Sequence, residues 1–348
     1  MLPLGPARSP PRPTTNPHPP VLRFILRRLM WFAVTLFCVV TISFFMMRSV
    51  RGGPFDGERT LDPAIERNIE ARYHLDWPLP KQYFQYVGPF NLDEHRAEIF
   101  GGDGSKVFGG VTMLEFGPSF KYKDFTVDQI ISQSLPISAL LGMVAMMWAL
   151  ALGVSAGIAS ALKRGSRLDL AMRLAATGGI ALPNFVIAGF LIIFFVFMIP
   201  LLPVAGWGSV KYMLLPGFAL GAPYAAYIAR LTRTGMLEVL SQDHIRTAHA
   251  KGLAPKTVIM RHALKGGLLP VVSYLGPAIA GVLTGSLVIE KIFKIPGLGT
   301  HFINSALNRD YTLAMGVTIL FTVLIYSMNT IVDLAYTMLD PRIDLEEM

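Results

Sequence analysis

Six stretches of this chain run without Asp, Glu, Lys or Arg for long enough to leave water. They are Leu29–Met47, Gln129–Leu162, Leu174–Val210, Tyr212–Ala229, Gly266–Ile289 and Tyr311–Val332. A bilayer core about 30 Å thick needs roughly 20 apolar residues per helix. The runs therefore predict an all-α membrane protein with six transmembrane helices. The second and third runs exceed one crossing, so each is expected to include loop as well as helix. Leu202-Pro203-Val204-Ala205-Gly206 reads as the turn closing the third span.

The formal net charge is +8, a balance that can signal nucleic acid. Its placement argues for topology instead, because the charges sit between the apolar runs. Arg8, Arg12, Arg23, Arg27 and Arg28 precede the first span with no acid among them. Lys163, Arg164 and Arg167 follow the second. The segment Arg230–Lys265 carries seven Lys or Arg against Glu238 and Asp243. All three segments fall on one side if six spans cross, and the positive-inside rule makes that side cytoplasmic, with both termini. The segment Arg48–Ser134 has 10 basic and 13 acidic side chains and falls outside. The localisation expected is a bacterial cytoplasmic (inner) membrane. The first run is longer than a signal-peptide core, and Arg48 and Arg51 follow it where a small-residue cleavage site would stand, so a retained anchor helix is expected. Cys38 is the sole cysteine. It excludes an intrachain disulfide and reads as a packing residue of the first span.

These features divide the chain into a Pro-rich cytoplasmic leader (1–22), a first helix (23–48), an external region with short helices (49–128), a core of five helices (129–338) and a cytoplasmic tail (339–348). The leader carries eight prolines between Pro3 and Pro20, which excludes a packed helix. Within the external region, Pro63 and the recurrence of Ile65, Ile69 and Tyr73 predict an amphipathic helix over Asp62–Tyr73. Gly101–Ser105 and Gly109-Gly110 mark loop. Pro136 is expected in the first turn of the second span. Gly153 with Gly157, Gly217 with Gly221 and Gly281 with Gly285 place small residues one turn apart, which favours close helix packing. No internal repeat of the inverted-transporter kind is visible.

The segment 233–266 is the richest in pattern. Ile245-Arg246-Thr247-Ala248-His249-Ala250-Lys251-Gly252-Leu253 reads as a short helix ended by glycine, which supplies a left-handed cap. Pro255 then opens a second amphipathic helix running through Arg261-His262-Ala263-Leu264-Lys265, and Gly266–Pro270 starts the next span. Small Ala248, Ala250 and Gly252 predict a surface another protein can approach closely. Read from residues alone, a solvated basic loop accounts for the same charges.

The pattern Arg-Thr-Ala-x-Ala-Lys-Gly-Leu, then Arg-His-Ala-Leu, then Leu-Leu-Pro, resembles the coupling loop of binding-protein-dependent ABC importer permeases. Phe116–Asp124, Leu152–Gly157, Thr284-Gly285-Ser286, Pro296–Gly299 and Ala306–Tyr311 resemble segments of its oligopeptide and dipeptide permease B subunits. The resemblance spans Val21 to Ile343. The wider family opens the loop with Glu-Ala-Ala, and many members have proline where Lys265 stands. Arg246-Thr247-Ala248 and Lys265 are similar to the peptide branch in both respects. The leader and the stretch 88–115 are longer than the branch pattern.

The resemblance implies a type I ABC importer permease fold with a cytoplasmic coupling helix, and a role in peptide import. It implies that Arg246, Thr247, Ala248, Ala250, Lys251, Gly252 and Leu253 meet an ATPase. The implied partners are a second permease subunit forming a heterodimer, two ATP-binding subunits that carry the ATP and Mg, and an extracytoplasmic peptide-binding protein. Peptide substrate and membrane lipid are expected ligands, nucleic acid is not, and no cofactor is expected in this chain. A permease for another cargo (dipeptide, nickel or sugar) and a non-transport scaffold remain the alternatives.

Asn184, Ser273, Tyr274, Thr284 and Ser286 are polar side chains in the spans and are candidates to line a substrate passage; bonding between helices accounts for them as well. Asp333 interrupts the sixth span. It is expected to pair with a basic residue at the cytoplasmic interface, with proton coupling as the alternative. His244, His249 and His262 lack the spacing and the acidic or thiol companions of a metal site. Gly101–Lys106 lacks phosphate-loop spacing, and no other hydrolytic motif is present, so this chain is not expected to be an enzyme.

Overall fold

The computed structural model describes residues 20–49, 74–88, 110–122 and 125–339. The leader before residue 20, the helix expected over Asp62–Tyr73, most of the 88–115 extension and the tail after 339 lie outside the described residues. The helices are α1 (Pro20–Ser49), α2 (Leu79–Val87), α3 (Val127–Leu162), α4 (Arg167–Ala181), α5 (Asn184–Ile192), α6 (Val210–Leu240), α7 (Asp243–Ala250), α8 (Leu269–Gly285), α9 (Leu287–Ile292), α10 (Leu298–Leu307) and α11 (Tyr311–Leu339). The β-structure among the described residues is one isolated bridge between Pro118 and Thr126.

Among the described residues five stretches are long and apolar enough to cross a membrane: Phe24–Ser49, Val127–Leu162, Val210–Leu240, Leu269–Ile292 and Tyr311–Ile331. A sixth is broken. α4 and the helix that starts at Asn184 and ends at Met198 meet at 109°. Pro183 has no N–H to give the preceding turn, and it forces Leu182 into an extended conformation with ψ 127. The third apolar run is therefore two helices and a bend, where a single span was expected.

The second run differs in the opposite sense. It is one helix of 36 residues with no loop inside it. Thr126 Oγ1 accepts from Gln129 N at 3.3 Å. Gln129 Oε1 accepts from Thr126 N at 3.2 Å. This capping box starts the helix ahead of the apolar run. Pro136 is consequently in the helix interior, not in its first turn. α6 likewise continues past the end of its apolar run. Arg230, Arg233 and Glu238 belong to the helix as it leaves the apolar layer. Cys38 is exposed on α1, not buried in this chain's core.

α3 and α6 form the tightest seam. A Cβ on Gly153 would stand 2.7 Å from Ala225 O, and one on Gly157 would stand 2.5 Å from Thr232 Cβ. From the other side, Gly221 would meet Ala145 O at 2.4 Å and Gly217 would meet Val144 Cγ1 at 2.6 Å. Lipid offers no hydrophobic drive between helices, so contact of this closeness supplies dispersion energy that larger residues would forfeit. The expected packing role of these two glycine pairs holds.

Three carboxylates tie distant parts together. Asp333 on α11 pairs with Arg28 on α1, as expected of a basic partner, and Tyr326 Oη donates to Arg28 O at 3.0 Å. Asp310 is fully buried and caps α11, accepting from Leu313 N at 3.3 Å, Thr312 Oγ1 at 3.1 Å and Phe120 N at 3.1 Å, with Ser119 Oγ also donating. Glu290, also fully buried, accepts from the hydroxyls of Ser138 and Ser286, each at 2.7 Å, and from Gly299 N at 2.8 Å and Thr300 N at 3.3 Å. It thus caps α10. Pro296-Gly297-Leu298-Gly299 is the backbone that lets the carboxylate in: a Cβ on Gly297 would lie 2.4 Å from Glu290 Oε2.

Candidate functional site

At the basic end of the bundle α6 stops at Leu240, and after Ser241 and Gln242 α7 begins, with Asp243 in its first turn. An acid there faces the positive end of the helix dipole. Arg246 Nη1 lies 3.4 Å from Asp243 Oδ1. The pair is so exposed that it contributes about 0–1 kcal/mol. The position of α7 is set by its apolar side. Ile245 and Ala248 are buried against Met236 and Val239 of α6 and against Val258 and Ala263 of the returning segment.

Ala248 is therefore part of the mount, not of the open surface that its small size suggested. The other predicted contact residues, Arg246, Thr247, Ala250, Lys251, Gly252 and Leu253, are exposed. They form one continuous edge along the end of α7 and its cap.

The cap is a Schellman motif. Gly252 N donates to His249 O at 2.9 Å, and Leu253 N donates to Ala248 O at 3.3 Å. Gly252 takes φ 75. Pro255 then opens a helical turn, Pro255–Thr257, followed by a π-helical turn, Val258–Ala263, and an α-turn, Leu264–Gly267. This return is clamped on α6. A Cβ on Gly235 would stand 2.4 Å from Gly267 O, and one on Gly267 would stand 2.6 Å from Met236 Sδ. α7 is thus fastened to the end of α6 by its own buried face and by the segment that follows it.

Two turns before the end of α6, Arg233 is held by a carboxylate absent from the sequence-level candidates. Arg233 Nε and Nη2 donate to Asp169 Oδ1 and Oδ2 at 2.8 and 3.0 Å. Ser160 Oγ of α3 donates to Oδ1 at 2.5 Å, and Gly165 N donates to Oδ2 at 2.9 Å. The side chain of Asp169 is 1% exposed. Three helices, α3, α4 and α6, are pinned at this one group. Its signal in the sequence was its isolation, since Asp169 is the sole acid between Asp128 and Glu238.

The passage candidates do not gather into one site. Ser286 is 1% exposed and spends its hydroxyl on Glu290, which takes it out of any open passage. Ser273 Oγ donates to Leu269 O at 2.9 Å, within its own helix. Tyr274 stacks obliquely on Tyr227 with centroids 4.3 Å apart. Asn184 sits at the α4–α5 break. The side chain of Thr284 lies outside the described residues. Among the described residues no three His, Cys, Asp or Glu side chains cluster where a metal ion would sit.

The chain is thus a bundle of apolar, membrane-spanning helices with a small helix fastened at its basic end. Residues 153–345 match the family described as binding-protein-dependent transport system inner membrane component, and the chain belongs to that family. It is 47% identical over 325 residues to the oligopeptide transport system permease protein OppB of Escherichia coli (strain K12), covering 93% of this chain and 99% of that one. It is 41% identical, with the same coverage, to the dipeptide transport system permease protein DppB of Bacillus subtilis (strain 168). A solved structure of the MetNI methionine ABC transporter, in an inward-facing conformation, matches with a TM-score of 0.52 and 16% identity over 61% of this chain and 96% of that one. The fold is the type I ABC importer permease fold.

Proposed function

We propose that this chain is one of two permease subunits of an ATP-driven importer that carries oligopeptides into the cell. The observation that carries the cargo is the near full-length similarity to oligopeptide permease proteins at 45–47% identity. In this reading the exposed edge Arg246, Thr247, Ala250, Lys251, Gly252 and Leu253 docks on a cytoplasmic ATP-binding subunit, which supplies ATP and Mg. A paired permease and an external peptide-binding protein complete the assembly. Both termini lie in the cytoplasm, the side to which the basic segments assign them. The fastening of α7 to α6 supports the docking role, because a push on α7 moves α6 with it.

ATP-dependent uptake of a labelled pentapeptide by the assembly in proteoliposomes tests this. Uptake without competition from excess pentapeptide, or ATP hydrolysis unaffected by omitting this chain, would sink it. Dipeptide cargo is the second reading, favoured by the 41% identity to a dipeptide permease. Competition by dipeptide stronger than by pentapeptide selects it.

A further inference from the structure

We propose that the cleft between α3, α4 and α6 at the basic end of the bundle binds an anionic phospholipid. The phosphate rests on Arg173 and Arg230, and an acyl chain lies along an alanine floor. The inference does not depend on the cargo.

The cleft has a volume of about 500 Å³, within the range of sites that hold a small ligand. Arg173, Arg230 and Arg233 line it together with Thr177 and Thr234. The charge of Arg233 is taken up by Asp169, which it holds with two bonds. Arg173 Nε comes to 3.6 Å from the same carboxylate, whose oxygens already accept from Arg233, Ser160 and Gly165, and its side chain is 53% exposed. Arg230 is exposed, with its guanidinium carbon 4.7 Å from the Tyr227 ring centre. Among the described residues, Arg173 thus has only a long ion pair with a carboxylate already shared, and Arg230 has no carboxylate partner. Guanidinium groups match phosphate oxygens in fork geometry.

A second hollow of about 190 Å³ shares Ala156, Met172, Ala176 and Ala229 with the first. Its lining is mostly Ala and Gly, with Trp148, Leu152, Met172 and Phe218. A charged mouth leading to an apolar slot is complementary to an amphiphile, not to a free anion. In the first cleft α4 also exposes Leu170, Leu174 and Ile180. Basic pockets between helices at the cytoplasmic face of a membrane are the places where anionic headgroups are held.

The test uses the assembled transporter, stripped of lipid and returned to phosphatidylglycerol or phosphatidylcholine nanodiscs, with retained lipid counted by native mass spectrometry. Wild type retains phosphatidylglycerol selectively. Arg173→Gln with Arg230→Gln lowers that retention roughly 30-fold, the effect of two cations near a headgroup. Lys163→Gln with Arg164→Gln removes the same charge from the adjoining loop, whose two cations do not line the cleft, and changes retention less than about threefold. Ala176→Leu narrows the slot at constant charge and also lowers retention. Equal losses in the two double variants, no loss in either, or full displacement of lipid by inorganic phosphate would overturn the proposal.

Discussion

Arg28, near the start of α1, and Asp333, near the end of α11, form an ion pair across 305 positions of sequence. The start of the first span and the end of the last are thus at the same end of the bundle. A chain that returns to its starting face crosses an even number of times. Five spans alone would leave those ends on opposite faces, and the bent α4–α5 segment, counted as a sixth, would bring them back to one face. Reporters fused at the two termini are expected to report the same compartment, and opposite compartments would refute the six-crossing topology. Asp333→Asn is expected to cost about 1.5–3 kcal/mol, the scale of a hydrogen bond to a charged group. Exchanging the charges, Arg28→Asp with Asp333→Arg, should recover part of the loss in a melting assay of the assembled complex.

Asp169→Asn is expected to be the more damaging charge removal. It leaves the Arg233 guanidinium partly buried without its carboxylate, and breaking such a pair from one side costs more than the pair contributes when intact. Arg233→Lys keeps the charge but loses the two-pronged geometry. Both variants should melt several degrees earlier than wild type, with Arg233→Lys the milder. A melting point unchanged in Asp169→Asn would show that the three-helix pin is not structural.

Gly297→Ala and Gly299→Ala separate side-chain from backbone crowding around Glu290. The new methyl at 297 meets the ends of the Glu290 and Ser138 side chains, whereas at 299 it comes within 2.6 Å of Leu287 Cα. Backbone cannot rotate away. Gly299→Ala is therefore expected to destabilise more than Gly297→Ala, in the range of about 1–3 kcal/mol typical of overpacking. The reverse order in thermal unfolding would show that the Glu290 carboxylate, not the α9 backbone, is the rigid element.

Around α7, buried and exposed small residues should respond differently. Ala248→Leu crowds the cluster with Met236 and Val258. It is expected to lower stability by about 1–3 kcal/mol. Ala250→Trp sits on the open edge and should leave the melting point of the isolated permease pair unchanged while weakening recovery of the ATP-binding subunits in a pull-down. A methyl at Gly252 meets no atom within 4 Å, but the φ of 75 there disfavours a side chain. Gly252→Ala is expected to cost about 1 kcal/mol. Normal recovery of ATP-binding subunits with Ala250→Trp would remove this edge from the docking surface.

Charge-free runs predicted where helices cross, because burial in lipid forbids unpaired charge regardless of tertiary detail. They did not predict where helices end. α3 starts ahead of its apolar run and α6 continues past its own, since capping at Thr126 and packing around Arg233 hold turns that hydropathy cannot register. Leu182-Pro183 breaks a uniformly apolar run through backbone chemistry alone. The glycine stop at 252 was legible because its local signal is sufficient. The inward turn of Ala248 was not, because it depends on Met236 and Ala263, neighbours brought there by the hairpin. Ser286 reads as a polar residue in a span, and only the arrival of Glu290 one turn later discloses what it serves.

The glycine contacts between α3 and α6 also limit how such a bundle can move. With Gly153, Gly157, Gly217 and Gly221 all in near-contact, the two helices have no slack to slide or swell against each other. They behave as one strut, with α7 fixed at its foot. Displacement at that foot has to reappear as tilt of the whole strut. The bending falls to joints outside it, and the 109° elbow at Leu182-Pro183 is the one already built.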